Sequence, residues 1–190
     1  MQYIKEHFFD TLEVKQSKFI AHLTPYAEYE KLLAKLKEEH PKARHFVTAF
    51  RYLNEYGQIV ESSSDDGEPK GTSGKPSLMV LQGKNLINTA VIVVRYFGGT
   101  KLGTGGLVRA YSDAVNLVIE KAELFEYKEC EEKKISFSYA DVRMVEYECE
   151  AEDILIKEKS FEDKALFTIE APKEQMESFL KKLERVVHIH

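Results

Sequence analysis

The chain has 190 residues, enough for one large domain or two small ones, and its 43% hydrophobic and 31% charged residues can build a core under a polar surface. A net charge of −5 excludes a uniformly basic nucleic-acid binder. No apolar run approaches the ~20 residues of a membrane-spanning helix, so no membrane contact is expected. The opening MQYIKEHFFD lacks a basic segment followed by an apolar one, which predicts no secretory signal and a cytoplasmic location. Cys130 and Cys149 form no CxxC pair and read as reduced, buried thiols.

In chain order, Lys18–Leu23 reads as a strand. Tyr29, Leu32, Leu33 and Leu36 recur at helical spacing, and His40-Pro41 ends that helix. Phe46–Tyr52 and Gln58–Glu61 are strands joined by the turn Asn54–Gly57. Residues 61–76 are nearly all polar and turn-forming types and predict a loop, followed by a short helix or irregular segment over Leu78–Leu86. Ala90–Val94 has no polar alternation, so both faces of that strand are covered. Leu107, Tyr111, Ala114, Val115 and Val118 make a helical stripe that leaves Arg109, Asp113 and Asn116 off it.

A boundary is expected near Tyr127–Glu132, which divides the chain into domains at 1–128 and 132–190. Ile135, Phe137 and Tyr139 alternate as a strand, and Asp141 can cap a helix carrying Val142, Val145 and Cys149. Strands follow around Ile154–Ile156 and Ala165–Ile169. Pro172 suits the first turn of a last helix, and Val186–Ile189 reads as an edge strand. This βαββαβ order is the ferredoxin-like pattern.

The charge is uneven. Residues 1–128 hold 17 basic and 16 acidic side chains, whereas 129–190 hold 10 and 16. A polyanion would therefore meet the first part locally, at Arg44, Arg51, Arg95, Lys101 and Arg109.

The densest chemistry lies between Ser64 and Tyr111, where an acidic, glycine-rich loop precedes the apolar strand and a glycine-rich turn follows it. Gly98, Gly99, Gly103, Gly105 and Gly106 leave backbone bare, and the turn opens a helix whose free N–H groups and dipole favour an anion. Arg95, Lys101 and Arg109 bracket that turn, so a phosphate or carboxylate site is expected between residues 95 and 109. The turn is not a Walker motif, because Thr104 stands where lysine should be. The alternative is a tight connection in which glycines only permit packing. Arg95 either faces a ligand at its strand's end or forms a buried pair with Asp65, Asp66 or Glu68. Arg109, placed in the first helical turn, would need an anion or a carboxylate from the 65–68 loop to offset the dipole. Asp65 and Asp66 suit acid–base work or a divalent metal, or else are solvated or held by neighbouring arginines. His45, Lys70 and Thr72 complete the set as partners of the loop.

The stretch SDDGEPKGTSGKP, followed by VIVVRYFGGTKLGTGGLVRAYSDA, resembles the YigZ / IMPACT family from Asp65 to Ala114. Ala43-Arg44-His45 with Ala49 is similar to an upstream motif of that family, which commonly has a cysteine where Val47 stands here. The order of elements after residue 130 resembles the small ferredoxin-like domain of bacterial members. The resemblance implies an α+β chain whose first domain has the ribosomal-protein-type βα fold also found in domain IV of elongation factor G. It also implies a relation to eukaryotic translation regulators that act through protein partners under amino-acid stress.

The expected function is thus a non-enzymatic cytoplasmic regulator that binds RNA, the ribosome or a translation-related protein through the glycine-rich anion site. No metal or cofactor is called for. Tyr96, Phe97 and Tyr111 are the candidates for stacking on bases. Two alternatives stand beside it: an enzyme acting on a small phosphorylated metabolite, and a protein-interaction regulator of a stress response that docks through its acidic surfaces.

Overall fold

A computed structural model describes residues 1–190, which divide into two compact units, Met1–Tyr127 and Lys128–His190. The first unit runs β1 (Gln2–Tyr3), β2 (Phe8–Val14), β3 (Ser17–Pro25), α1 (Tyr29–Glu39), β4 (His45–Leu53), β5 (Ile59–Ser64), α2 (Gly74–Gly83), β6 (Thr89–Tyr96), α3 (Gly103–Lys121) and β7 (Phe125–Glu126). Its main sheet has the order β2-β3-β6-β4-β5, and every neighbouring pair is antiparallel. β6 sits at the centre, which is why Ala90–Val94 is wholly apolar and buried. Alternate residues serve opposite faces. Val91 and Val93 join Ala21, Leu23, Val47 and Ala49 under α2 and α3, with Tyr111, Ala114 and Val118 from the α3 stripe. Ile92 and Val94 meet Leu36 of α1 on the other face.

Several expectations change here. β2 was not read from sequence, although its burial alternates residue by residue as an edge strand's should. It turns into β3 through Lys15-Gln16, both at positive φ, which is the two-residue hairpin geometry. The loop expected over 61–76 is shorter. Glu61–Ser64 continues β5 as a polar edge strand, with Thr48 opposite Ser64, and α2 already begins at Gly74. Pro76 lies within the first turn of α2, where its missing N–H costs no helical bond. Arg51 does not face a ligand. It is buried, with Nε donating to Glu61 Oε1 at 2.6 Å and Nη1 to the Leu86 carbonyl at 2.8 Å, and so ties β4 to β5 and to the segment after α2.

The second unit runs β8 (Cys130–Phe137), α4 (Val142–Ala151), β9 (Leu155–Phe161), β10 (Ala165–Pro172), α5 (Lys173–Lys182) and β11 (His188–Ile189). Its antiparallel sheet has the order β11-β8-β10-β9, the ferredoxin-like arrangement. Ile135, Phe137, Phe167 and Ile169 pack with Val145 and Cys149 of α4 and Met176 and Phe179 of α5. Asp141 precedes α4 without making a side-chain cap; Ser138 instead accepts from the Ala140 N–H one turn earlier. Pro172 ends β10 and flanks α5 rather than entering its first turn. Cys149 is buried as expected, but Cys130 is exposed, because it is the first residue of β8 and β11 reaches only Ile135 and Ser136 of that strand. No helix is long and apolar enough to cross a membrane.

Arg51→Leu removes the only side-chain donor to the buried Leu86 carbonyl and leaves Glu61 with Gln82 as its sole side-chain partner. It should lower unfolding free energy by about 2 kcal/mol or more, read as a lower urea midpoint at unchanged slope.

Candidate anion site at the start of the third helix

Strand register gathers the site. Lys18 pairs with Tyr96, His45 with Arg95 and Thr48 with Ser64. The starts of β3 and β4 and the ends of β5 and β6 therefore lie at one end of the sheet. The 65–73 loop, the 97–102 turn and the first turns of α2 and α3 all join there. Because the sheet is antiparallel, the ligand rule for parallel α/β sheets does not place this site; the convergence of these loops does.

At the centre is a buried ion pair. Arg95 is 6% exposed and donates from Nη1 to Glu68 Oε1 at 2.5 Å. The same carboxylate oxygen accepts from the Tyr111 hydroxyl at 2.8 Å. Burial first, and then the Glu68 charge beside it, raises the Tyr111 phenol far above its ordinary range, so it stays a donor. His45 Nε2 stands 3.9 Å from Glu68, while its Nδ1 bonds the Asp66 carbonyl at 2.8 Å. Arg95 Nε is buried with no acceptor.

The other loop carboxylates are committed to backbone. Asp65 accepts from the N–H groups of Gly71, Ser73 and Gly74 and from the Ser73 hydroxyl, closing the loop onto the start of α2. Burial alone would raise its pKa, but these four bonds outweigh it and hold the carboxyl below its ordinary value. Asp66 accepts from the Phe46 N–H at 2.7 Å. Thr72 donates to the Pro69 carbonyl, and Lys70 is exposed. The loop's aspartates are thus held, but by backbone N–H groups and the Ser73 hydroxyl rather than by the neighbouring arginines expected from sequence. No group of three or more His, Cys, Asp or Glu side chains is placed to hold a metal.

The five glycines of the turn separate by role. A Cβ on Gly98 would lie 2.0 Å from the Gln16 carbonyl carbon, because the hairpin tip packs directly on the turn and Ser17 Oγ accepts the Gly98 N–H. Gly98 is therefore a packing glycine. Gly99 and Gly103 have φ of +88° and +75° with open space around them. Gly105 lies in the first turn of α3, also in open space, and Gly106 abuts Leu102. α3 begins with no side-chain cap, which leaves its first N–H groups unclaimed by the protein.

Beside that helix start is a cleft of about 330 Å³, lined by Arg95, Lys101, Phe97, Leu102, Thr104 and Leu107 among others. Arg109 is not in it. It is the seventh residue of α3, not a first-turn residue, and lines a separate, smaller cleft with Lys15 and Asp113. Neither a loop carboxylate nor any other pairs with it. Of the three stacking candidates, Tyr111 is buried, Tyr96 bonds His40 at 2.9 Å, and Phe97 is 43% exposed at the cleft. Lys15 and Lys75 join this end of the sheet without having been singled out in the sequence. Lys15 is brought by the hairpin that the sequence did not announce.

The arrangement defines a chain whose first unit carries an anion-compatible helix start, built on a buried arginine–glutamate pair, next to a half-apolar cleft. The Impact N-terminal domain model matches residues 15–119, and a domain of unknown function, DUF1949, matches residues 135–185. An IMPACT family member of Haemophilus influenzae is 36% identical over 90% of this chain and 84% of its own. The IMPACT family member YigZ of Escherichia coli is 40% identical over 57% of this chain and 55% of its own. A solved structure described as that of a hypothetical protein overlays with a TM-score of 0.71 at 28% identity, covering 99% of this chain and 95% of the other. The chain belongs to the IMPACT family.

Gly98→Ala should destabilise the first unit by ~3 kcal/mol, whereas Gly105→Ala should be neutral or stabilise it by up to about 0.5 kcal/mol. Thermal or urea unfolding distinguishes the two directly. Asp65 has its folded pKa depressed, so its contribution is present above its unfolded value of 3.8 and is lost as pH falls through the folded value. Asp65→Asn should accordingly lower stability at pH 7 and flatten the loss of stability below pH 3.8, measured as urea midpoint against pH.

Proposed function

We propose that this protein is a non-enzymatic, translation-associated regulator that binds RNA, free or in the ribosome, through phosphate contacts at the start of α3. The observation that carries the reading is Arg95: a guanidinium 6% exposed, with Nε lacking any acceptor, lining a cleft beside an uncapped helix start and Lys101. Buried donors without acceptors are rare and call for a partner. That Nε atom is closed to the cleft, so an anion is drawn by Lys101 and the helix start, whose dipole favours negative charge, with the Arg95 guanidinium lining the same cleft.

Local charge supports it. Lys15, Arg44, Lys70, Lys75, Lys101 and Arg109 are exposed around this end and form no ion pair. Asp65, Asp66 and Glu68 are each bonded within the protein, although only Glu68 is fully buried and Asp66 is exposed. The overall −5 charge therefore does not describe this surface. Family membership favours translation as the setting, as the eukaryotic relatives imply. The enzyme alternative needs the loop carboxylates as acid, base or metal ligands, and their commitments weigh against it.

Co-sedimentation with purified ribosomes at two salt concentrations tests the reading. Wild type should bind in a salt-sensitive manner, and Lys101→Glu should weaken binding and reduce the slope of log affinity against log salt by about one. Binding that ignores both salt and the substitution would refute phosphate contact at this turn.

A further inference from the structure

The cleft is more than a charged patch. Its walls are Phe97, Leu102, Leu107 and Pro69, and its cationic groups, Arg95 and Lys101, lie with the start of α3. A surface meant only for backbone phosphate needs no apolar recess beside the cations. At about 330 Å³ this recess has the size of a small-ligand site. Phe97 is the exposed aromatic at its mouth, and the Arg95 guanidinium lies 5.8 Å from the Phe97 ring and 5.4 Å from Phe19 beneath. The Glu68 carboxylate also lines the cleft and occupies one edge of Arg95, while the protein supplies no acceptor for Nε.

We infer that the cleft receives one unstacked nucleotide: its base against Phe97 and the Leu102–Leu107 wall, and its phosphate toward Lys101 and the N–H groups of Gly103 to Gly105. The inference rests on the polyanion reading above and narrows it to single-stranded RNA or an unpaired residue of a folded RNA. Three features demand this chemistry together. The Phe97 ring at the mouth accepts any base by stacking. An uncapped helix start accepts the phosphate. Open space at Gly99, Gly103 and Gly105 lets the strand's backbone approach without meeting a Cβ. A continuous duplex cannot use the recess, because its bases are stacked on one another. A free nucleoside monophosphate has the same chemistry, so the test must separate the two sources.

The test is a fluorescence-anisotropy titration of the full chain with a labelled single-stranded octaribonucleotide and a blunt RNA duplex. Unlabelled nucleoside monophosphates and inorganic phosphate serve as competitors. Wild type, Phe97→Ala and Lys101→Glu are compared, each first checked for an unchanged melting temperature; both positions are exposed, so folding should survive. Phe97→Ala should weaken single-strand binding about tenfold, about 1.4 kcal/mol, with the salt slope unchanged and duplex binding unaffected. Lys101→Glu should weaken both and lower the slope. If Phe97→Ala leaves single-strand affinity intact while Lys101→Glu reduces it, the recess inference falls and the phosphate reading stands. Failure of wild type to bind either RNA while a nucleoside monophosphate stabilises it through Phe97 would assign the recess to a free nucleotide and overturn the RNA reading. Absence of all binding overturns both.

Discussion

The Arg95–Glu68 pair is the constraint on which this end of the molecule depends. A guanidinium taken out of water must be paired, since an isolated buried charge costs several kcal/mol. Here the partner comes from a loop, not from the sheet. Glu68 must be held in place for Arg95 to remain at the end of β6, and Tyr111 of α3 holds it by donating to the same oxygen. One carboxylate thereby joins the central strand, the acidic loop and the third helix, with His45 of β4 facing it. Asp65 and Asp66 do the remaining work of fixing the loop, each through backbone N–H groups. A segment that composition alone reads as solvated is therefore ordered, because its charges are satisfied from within.

The glycines follow from the same geometry. Two segments press against bare backbone: the hairpin tip on Gly98, and the end of β5 on Gly74, where a Cβ would lie 2.7 Å from the Ser64 carbonyl carbon. These contacts bring the loops close enough to share a site. The glycines that face open space, Gly99, Gly103 and Gly105, are the ones with no packing duty. Positive φ accounts for glycine at Gly99 and Gly103, so Gly105, with open space and ordinary φ beside the cleft, is the one that neither packing nor backbone conformation requires.

Much of this was legible in the residues. Wholly apolar Ala90–Val94 announced a central strand, and the stripe from Leu107 to Val118 announced the helix that covers it. The alternation around Ile135 and the two later helices announced the second unit. The sequence leaves Arg95 either facing a ligand or pairing with Asp65, Asp66 or Glu68; the structure shows the pair with Glu68, a choice set by loop geometry that sequence does not encode directly. Arg51 looked the same as Arg95 in sequence and proved to be a tether, because partners 10 and 35 residues away close on it only in the fold. Arg109 was misplaced through the helix start: the helix begins at Gly103, so the side chain emerges a turn later, in another cleft. β5 was cut short because Ser62, Ser63 and Ser64 carry turn propensity, which pairing with β4 overrides at a solvated edge.

Charge bookkeeping decides what the cleft can attract. Arg95 and Glu68 together are neutral, so the pair itself does not draw a phosphate from solution. On the proposed reading, attraction comes from Lys101, the other exposed cations at this end and the partial positive charge at the start of α3, all of which act in high dielectric and are weakened by salt. What Arg95 contributes is position: a guanidinium fixed by Glu68, stacked over Phe19 and beside Phe97, with donor capacity the protein leaves unused. A site with modest net charge and a largely apolar wall gains little from long-range attraction and more from contact. Its discrimination must then come from the shape and stacking of the group that enters rather than from the number of phosphates that pass by. On the proposed reading, an acidic chain without a broad basic face selects its anion by contact in one cleft.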